Sequence, residues 1–142
     1  MQKDDEMDTT ARECMERIRT QDQMAILLGI ELVACRPGYG KASMPLDNRQ
    51  CNGAGIAHGG AIFTLADIAL ALASNAEGRL SLTLNASISF LSPGQKGPLT
   101  AEATEISASA KVSNYEVVVR DAEGKRIAHC HGIAYHKSRG WD

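Results

Sequence analysis

His58-Gly59-Gly60-Ala61-Ile62-Phe63-Thr64-Leu65-Ala66-Asp67 opens the stretch that runs on through Ile68-Ala69-Leu70-Ala71-Leu72-Ala73 to Ala76, and its reading decides the fold. Between Ala61 and Ala73 the only polar side chains are Thr64 and Asp67. Such a run is too long for a typical strand. Apolar on every side, it predicts a buried helix, not a surface one. A core does not select Asp for packing, because an ionised carboxylate is costly to bury and desolvation raises its pKa. Asp67 is therefore a candidate catalytic carboxylate. The competing reading is a structural carboxylate satisfied by a neighbouring hydroxyl from a Ser/Thr row.

Gly59 and Gly60 open the same helix. The first turn of a helix offers unpaired N–H groups and the positive end of the macrodipole. Without a Cβ in the way, a carbonyl oxygen or an anion can approach closely, as an oxyanion hole requires. The plainer reading is that the glycines permit close packing. Gly59 and Asp67 are eight residues apart, or about 12 Å by helical rise. One reacting carbonyl cannot touch both within one chain. If both act on one bond, Asp67 must meet the Gly59 end of another subunit's helix, and a two-fold pair of antiparallel helices yields two such sites.

Upstream lies a polar, glycine-bearing segment, Asp47 to Ala57, long for a connection in a compact domain. Asn52 within it offers a side-chain amide to the same hole, or forms a turn before Gly53. His58 is an acid, a base or an orienting group on one reading, and a helix cap or loop anchor on the other. Further upstream, residues 1–8 read as a frayed tail. Thr9 to Thr20 is helix-prone, and Asp22 caps a short helix over Gln23 to Leu28 that Gly29 ends. Ile30 to Cys35 reads as a strand, and Arg36-Pro37-Gly38 turns it into a hairpin with Tyr39 to Leu46.

Downstream, Leu80 to Leu91 alternates strictly. Leu80, Leu82, Leu84, Ala86, Ile88 and Phe90 are expected on one face, with Ser81, Thr83, Asn85, Ser87 and Ser89 on the other. That second face, polar but uncharged, suits a subunit interface or a substrate channel. Strands over Leu99 to Ala108, Val112 to Arg120 and Lys125 to His136 follow, the last two as a hairpin around Asp121 to Gly124. Ala128, Cys130, Gly132 and Ala134 form a face of small residues on which a helix can lie closely. The expected architecture is α+β: one domain over residues 9–142, with a long central helix wrapped by an antiparallel sheet. Its exposed edges and face call for a second copy.

Composition narrows the function. The chain has 142 residues, 44% of them hydrophobic, and a net charge of −2 spread along its length. That balance argues against nucleic acid as a partner. No apolar run reaches the length of a membrane span. The acidic start does not resemble a secretory signal. A cytoplasmic location with Cys14, Cys35, Cys51 and Cys130 reduced is expected. Their spacing does not suit a zinc site. Cys130 reads as a small core residue, with a catalytic thiol as the rival reading. His129 and His131 share a strand face without an obvious third metal ligand, so no metal is expected.

His58-Gly59-Gly60 followed by Leu65-Ala66-Asp67 resembles the central-helix motif of hotdog-fold thioesterases, of the phenylacetate-degradation (PaaI) type. The likeness extends to Leu27-Leu28-Gly29-Ile30, Asn52, Phe90-Leu91-Ser92-Pro93 and Gly124-Lys125-Arg126-Ile127-Ala128. It thus covers nearly all of residues 22–137. The resemblance implies hydrolysis of an acyl-CoA thioester without metal or bound cofactor, by a dimer or dimer of dimers. It implies that the Gly59 N–H and the Asn52 amide hold the carbonyl. Asp67 of the neighbouring subunit would be general base or nucleophile. Thr83 would orient the water or the carboxylate, and His58 would support Asn52 or the leaving thiol. Gly60 would line the substrate site, and Lys96, Lys111 and Arg126 are candidates for the CoA phosphates. Two other uses of the fold compete: a non-catalytic acyl-CoA-binding module, and a hydratase or dehydratase of acyl thioesters.

Overall fold

The computed structural model describes residues 8–142. The tail expected over residues 1–8 lies outside them except at Asp8. That residue is already tied down: its carboxylate accepts the Ala11 N–H (2.9 Å) and caps helix α1, Thr9–Gln21. Asp22 repeats the device, accepting the Ala25 N–H (2.9 Å) at the start of α2, Gln23–Leu28. Gly29, at φ 70°, ends α2 in the left-handed conformation that favours glycine.

Strands β1 (Glu31–Arg36) and β2 (Tyr39–Met44) form the expected hairpin. The long connection after β2 is not bare loop. A 3-10 turn at Asn48–Gln50 is closed by a capping box between Asp47 and Gln50, and Cys51 bridges Ala57. Helix α3, Gly59–Asn75, is followed by β3 (Ser81–Phe90), β4 (Leu99–Ala108), β5 (Val112–Arg120) and β6 (Arg126–His136). All six strands join one antiparallel sheet in the order β1-β2-β4-β5-β6-β3. The sheet curls around α3, which touches every strand.

Leu65, Leu70 and Leu72 of α3 are buried among Met44, Leu99, Val117, Val119 and Ile127. Each such side chain contributes roughly 1.5–3 kcal/mol by leaving water. Small residues set how closely helix and sheet approach. A Cβ on Gly40 would stand 2.2 Å from the Ala69 carbonyl oxygen, and one on Gly132 2.0 Å from Leu70 Cδ1. Ala128, Cys130, Gly132 and Ala134 all face the helix, as their pattern predicts.

Two expectations are corrected. First, α3 is not buried all round. Gly60, Phe63, Thr64, Asp67 and Ala71, at helical spacing, form an uncovered stripe. Second, the strict alternation of β3 is broken. Thr83 pairs with Ala134 and Asn85 with Ile133, so Leu84 is an extra residue in a bulge. Opposite residues of an antiparallel pair share a face. Ser81 and Thr83 therefore face the helix together with Ala86, Ile88 and Phe90, while Leu82, Asn85, Ser87 and Ser89 face away.

Candidate active site

The helix start is fixed before any chemistry is asked of it. Gln50 is fully buried, donates to the Leu28 carbonyl (2.6 Å) and accepts from the Asp47 N–H (2.8 Å). Its own carbonyl receives the His58 N–H (2.7 Å), while Ala57 N–H donates to Gly94 (2.8 Å). His58 then caps the helix: its Nδ1 accepts the Gly60 N–H (2.8 Å). Its carbonyl accepts from Ala61 and Ile62, both at 3.0 Å. Among the described residues this leaves the Gly59 N–H as the one donor of the first turn without a partner. Sequence reasoning offered both glycines as donors; the imidazole has taken Gly60's. Gly59 backs onto Phe90, whose ring edge would lie 3.3 Å from a Cβ there. The two residues border a cavity of about 370 Å³ shared with Ile56, Ile62, Leu91 and Pro93.

Asn52 shows how one side chain can serve both readings. Its Oδ1 accepts from the Ala54 N–H (2.9 Å) and, more weakly, the Ile56 N–H (3.4 Å), so it does build the turn. Its amide N–H₂ has no partner among the described residues. The turn fixes the side chain through the acceptor and leaves the donor end available.

Asp67 lies on the open stripe of α3. Thr83 Oγ1 donates to its Oδ1 at 3.0 Å. In the single chain the carboxylate is open to solvent on one side, yet the protein around it still pushes its pKa up. Desolvation is the main cause, the Thr83 hydrogen bond opposes it, and the charge of Asp22 adds to it. It borders a depression of about 460 Å³ lined by Asp22, Met24, Gly60, Phe63, Thr64 and Ile68. The sequence gives no sign of Met24 or Ile68 as site residues, and it offers Asp22 only as a helix cap. Ile68 reads there as core, and Asp22 and Met24 reach the depression only because α2 folds back beside α3.

One chain does not bring Gly59 and Asp67 to a single point, since the helix between them is unbroken. The basic candidates also separate. Lys96 and Arg126 lie near the β5–β6 turn, at the Gly59 end of the sheet, where Ala122 N–H donates to the Lys96 carbonyl (2.9 Å). Lys96 is paired with Glu123 at 2.9 Å. Lys111 accepts from the His136 N–H (2.7 Å) at the opposite end, about 30 Å from Arg126 along β6. His129 and His131 are on the face away from α3, His129 Nε2 standing 2.8 Å from Glu116 Oε1. Cys130 is buried beneath α3, and burial together with the Asp67 charge raises its thiol pKa, the opposite of what a nucleophilic thiolate needs.

The Thioesterase superfamily model matches residues 54–128, from the turn before α3 into β6. The chain belongs to that superfamily: it is a thioester hydrolase with the hotdog fold. Within it the chain is of the PaaI type. It is 32% identical to the acyl-coenzyme A thioesterase PaaI of Escherichia coli over 75% of this chain and 77% of that one. The solved structure of E. coli PaaI, from the phenylacetic acid degradation operon, superposes with a TM-score of 0.89 at 26% identity, covering 95% of this chain and 99% of the other. A relative from Archaeoglobus fulgidus that carries a provisional esterase name is 36% identical over 80% of this chain and 75% of its own.

Proposed function

We propose that this protein hydrolyses the thioester of small or medium aryl or aliphatic acyl-CoA, releasing the free acid and CoA, as a cytoplasmic homo-oligomer with shared sites. The observation that carries the reading is a division of labour along α3. An unpartnered N–H at Gly59 and a partly desolvated, hydroxyl-held carboxylate at Asp67 sit on one helix, too far apart to serve one bond alone.

In this reading the carbonyl oxygen sits on the Gly59 N–H and the Asn52 amide, where negative charge develops as the carbonyl is attacked. Asp67 of the neighbouring subunit takes a proton from the attacking water, or attacks the carbonyl itself. Thr83 holds that carboxylate in place, and His58 holds the glycine pair. Breaking the C–S bond returns the electron pair to sulfur, which picks up a proton to leave as the CoA thiol; where Asp67 itself has attacked, water then opens the acyl–Asp67 anhydride to give the free acid. In the same reading Lys96 and Arg126, at the Gly59 end, take the CoA phosphates, Lys96 giving up its pairing with Glu123. Lys111 serves only if it comes from a neighbouring subunit. The support for the oligomer is the unpaired edge of β3, where Leu82 and Leu84 are 50% and 63% exposed beside the open stripe of α3.

The test is thiol release from a panel of aryl and aliphatic acyl-CoAs, with wild type beside Asp67→Asn. The expected result is turnover by wild type and a loss of about 10²–10⁴-fold in the variant, with an unchanged circular dichroism spectrum. Undiminished turnover by Asp67→Asn would sink the assignment. Tight acyl-CoA binding without any thiol release would favour the binding-module reading.

A further inference from the structure

Asp22 occupies the junction between α1 and α2, far from Asp67 in sequence but on the wall of the same depression. Its backbone N–H donates to the Ile18 carbonyl (3.0 Å) and its Oδ1 accepts the Ala25 N–H (2.9 Å). Held at both ends, the half-buried carboxylate has little freedom to swing away. The rest of the depression is lined by Met24, Gly60, Phe63, Thr64 and Ile68, which supply no counter-charge, and among the described residues no cation lines it. Among the described residues, the Thr83 hydroxyl from β3 bonds Asp67, and the Cys130 thiol from β6 and the Asp22 carboxylate from the α1–α2 junction are the titratable groups that interact with its charge.

We propose that Asp22 is a positioning residue for the hydrolysis, its carboxylate held on the wall of the depression that Asp67 also lines. The inference rests on Asp67 acting in its ionised form, as proposed above. A neighbouring like charge disfavours ionisation, so Asp67 holds a proton more firmly once it has taken one. For a general base that is a gain, provided it remains ionised at working pH. Asn or Ser would cap α2 as well as Asp does, so the need for a cap does not itself explain a charge at this position.

Capping and charge can be separated. Asp22→Asn and Asp22→Ser keep an N-cap and remove the charge, while Asp22→Glu keeps the charge. The measurement is the pH profile of kcat/KM for thiol release by the full-length protein, at low and high salt, with Asp67→Asn alongside. The sign is fixed: removing the Asp22 charge makes Asp67 easier to ionise, so the acidic limb moves to lower pH. Both neutral variants are expected to move the limb to lower pH, by less at high salt than at low, with Asp22→Glu close to wild type. If Asp67→Asn is inactive and neither neutral variant moves the limb, Asp22 is only a cap and the inference falls. If Asp67→Asn stays active, the catalytic reading of Asp67 fails first and takes this one with it.

Discussion

Asp67 sits between two opposed influences. Desolvation and the Asp22 charge make it harder to ionise, and the Thr83 hydroxyl makes it easier. The Thr83 hydrogen bond meets both readings the sequence left open, since it is the neighbouring hydroxyl of the structural alternative and also the orienting hydroxyl of the catalytic one. Thr83→Val separates them. Valine keeps the shape and the β-branching of threonine but removes the donor. Losing a hydrogen bond to the charged form raises the Asp67 pKa further, so the acidic limb of kcat/KM moves to higher pH. That is the reverse of the Asp22 effect, and a pH profile of the purified variant checks it. A purely structural Thr83–Asp67 pair would instead lower the thermal midpoint and leave the limb in place. His58 and Asn52 carry a related lesson. Each makes the local contact the plainer reading assigned, and in doing so each fixes a neighbouring donor: Gly59 N–H in one case, the Asn52 amide in the other.

At the level of elements, most boundaries were legible because the physics that sets them is local. Asp22 before a helix and Gly29 after it, the turn at Arg36-Pro37-Gly38, and the hairpin at Asp121–Gly124 all fall where their residue types place them. The bulge at Leu84 was not legible. An extra residue in one strand has no composition of its own; it is defined by the partner strand, here by Thr83 opposite Ala134 and Asn85 opposite Ile133. Its consequence falls on the proposed site, because it lets Thr83 face Asp67 while Ala86, Ile88 and Phe90 still face the core side. The open stripe on α3 was hidden for a similar reason. Alanine-rich sequence reads as buried on every side, and only the sheet decides which sides it covers. Where it does cover α3, the packing leaves no slack. Gly40→Ala would place a Cβ 2.2 Å from the Ala69 carbonyl and 2.7 Å from Leu72 Cβ. Helix and strand must separate to admit it, and overpacking of this kind costs about 1–3 kcal/mol or more. Denaturant titration should show that loss. The same change at Gly53, where nothing lies within 4 Å, offers a control for glycine replacement in itself.

In the proposed reading each chain carries half of two sites. Among the described residues β3 pairs only with β6 and its other edge is free, with Leu82, Leu84, Phe90 and Leu91 all at least half exposed. Apolar surface of this kind beside an unpaired strand edge and an uncovered helix stripe is what a second copy would cover. If the two α3 helices then run antiparallel, each Asp67 approaches the other chain's Gly59, and complementation between damaged chains becomes possible. Asp67→Asn abolishes the acid in one chain. Gly59→Pro removes the N–H in the other, at the first helical position, where proline is tolerated. Each variant alone has two broken sites. A mixed dimer has one site carrying both defects and one carrying neither. Random assortment makes half the dimers mixed, so activity should return to roughly a quarter of wild type. The measurement is thiol release after co-refolding the two variants, with mixed oligomers verified by differently tagged chains. Recovery near that level would mean that the site is assembled from two subunits. Well-formed mixed oligomers that stay inactive would mean that Gly59 and Asp67 do not act across the interface, and the catalytic role of one of them would have to be given up.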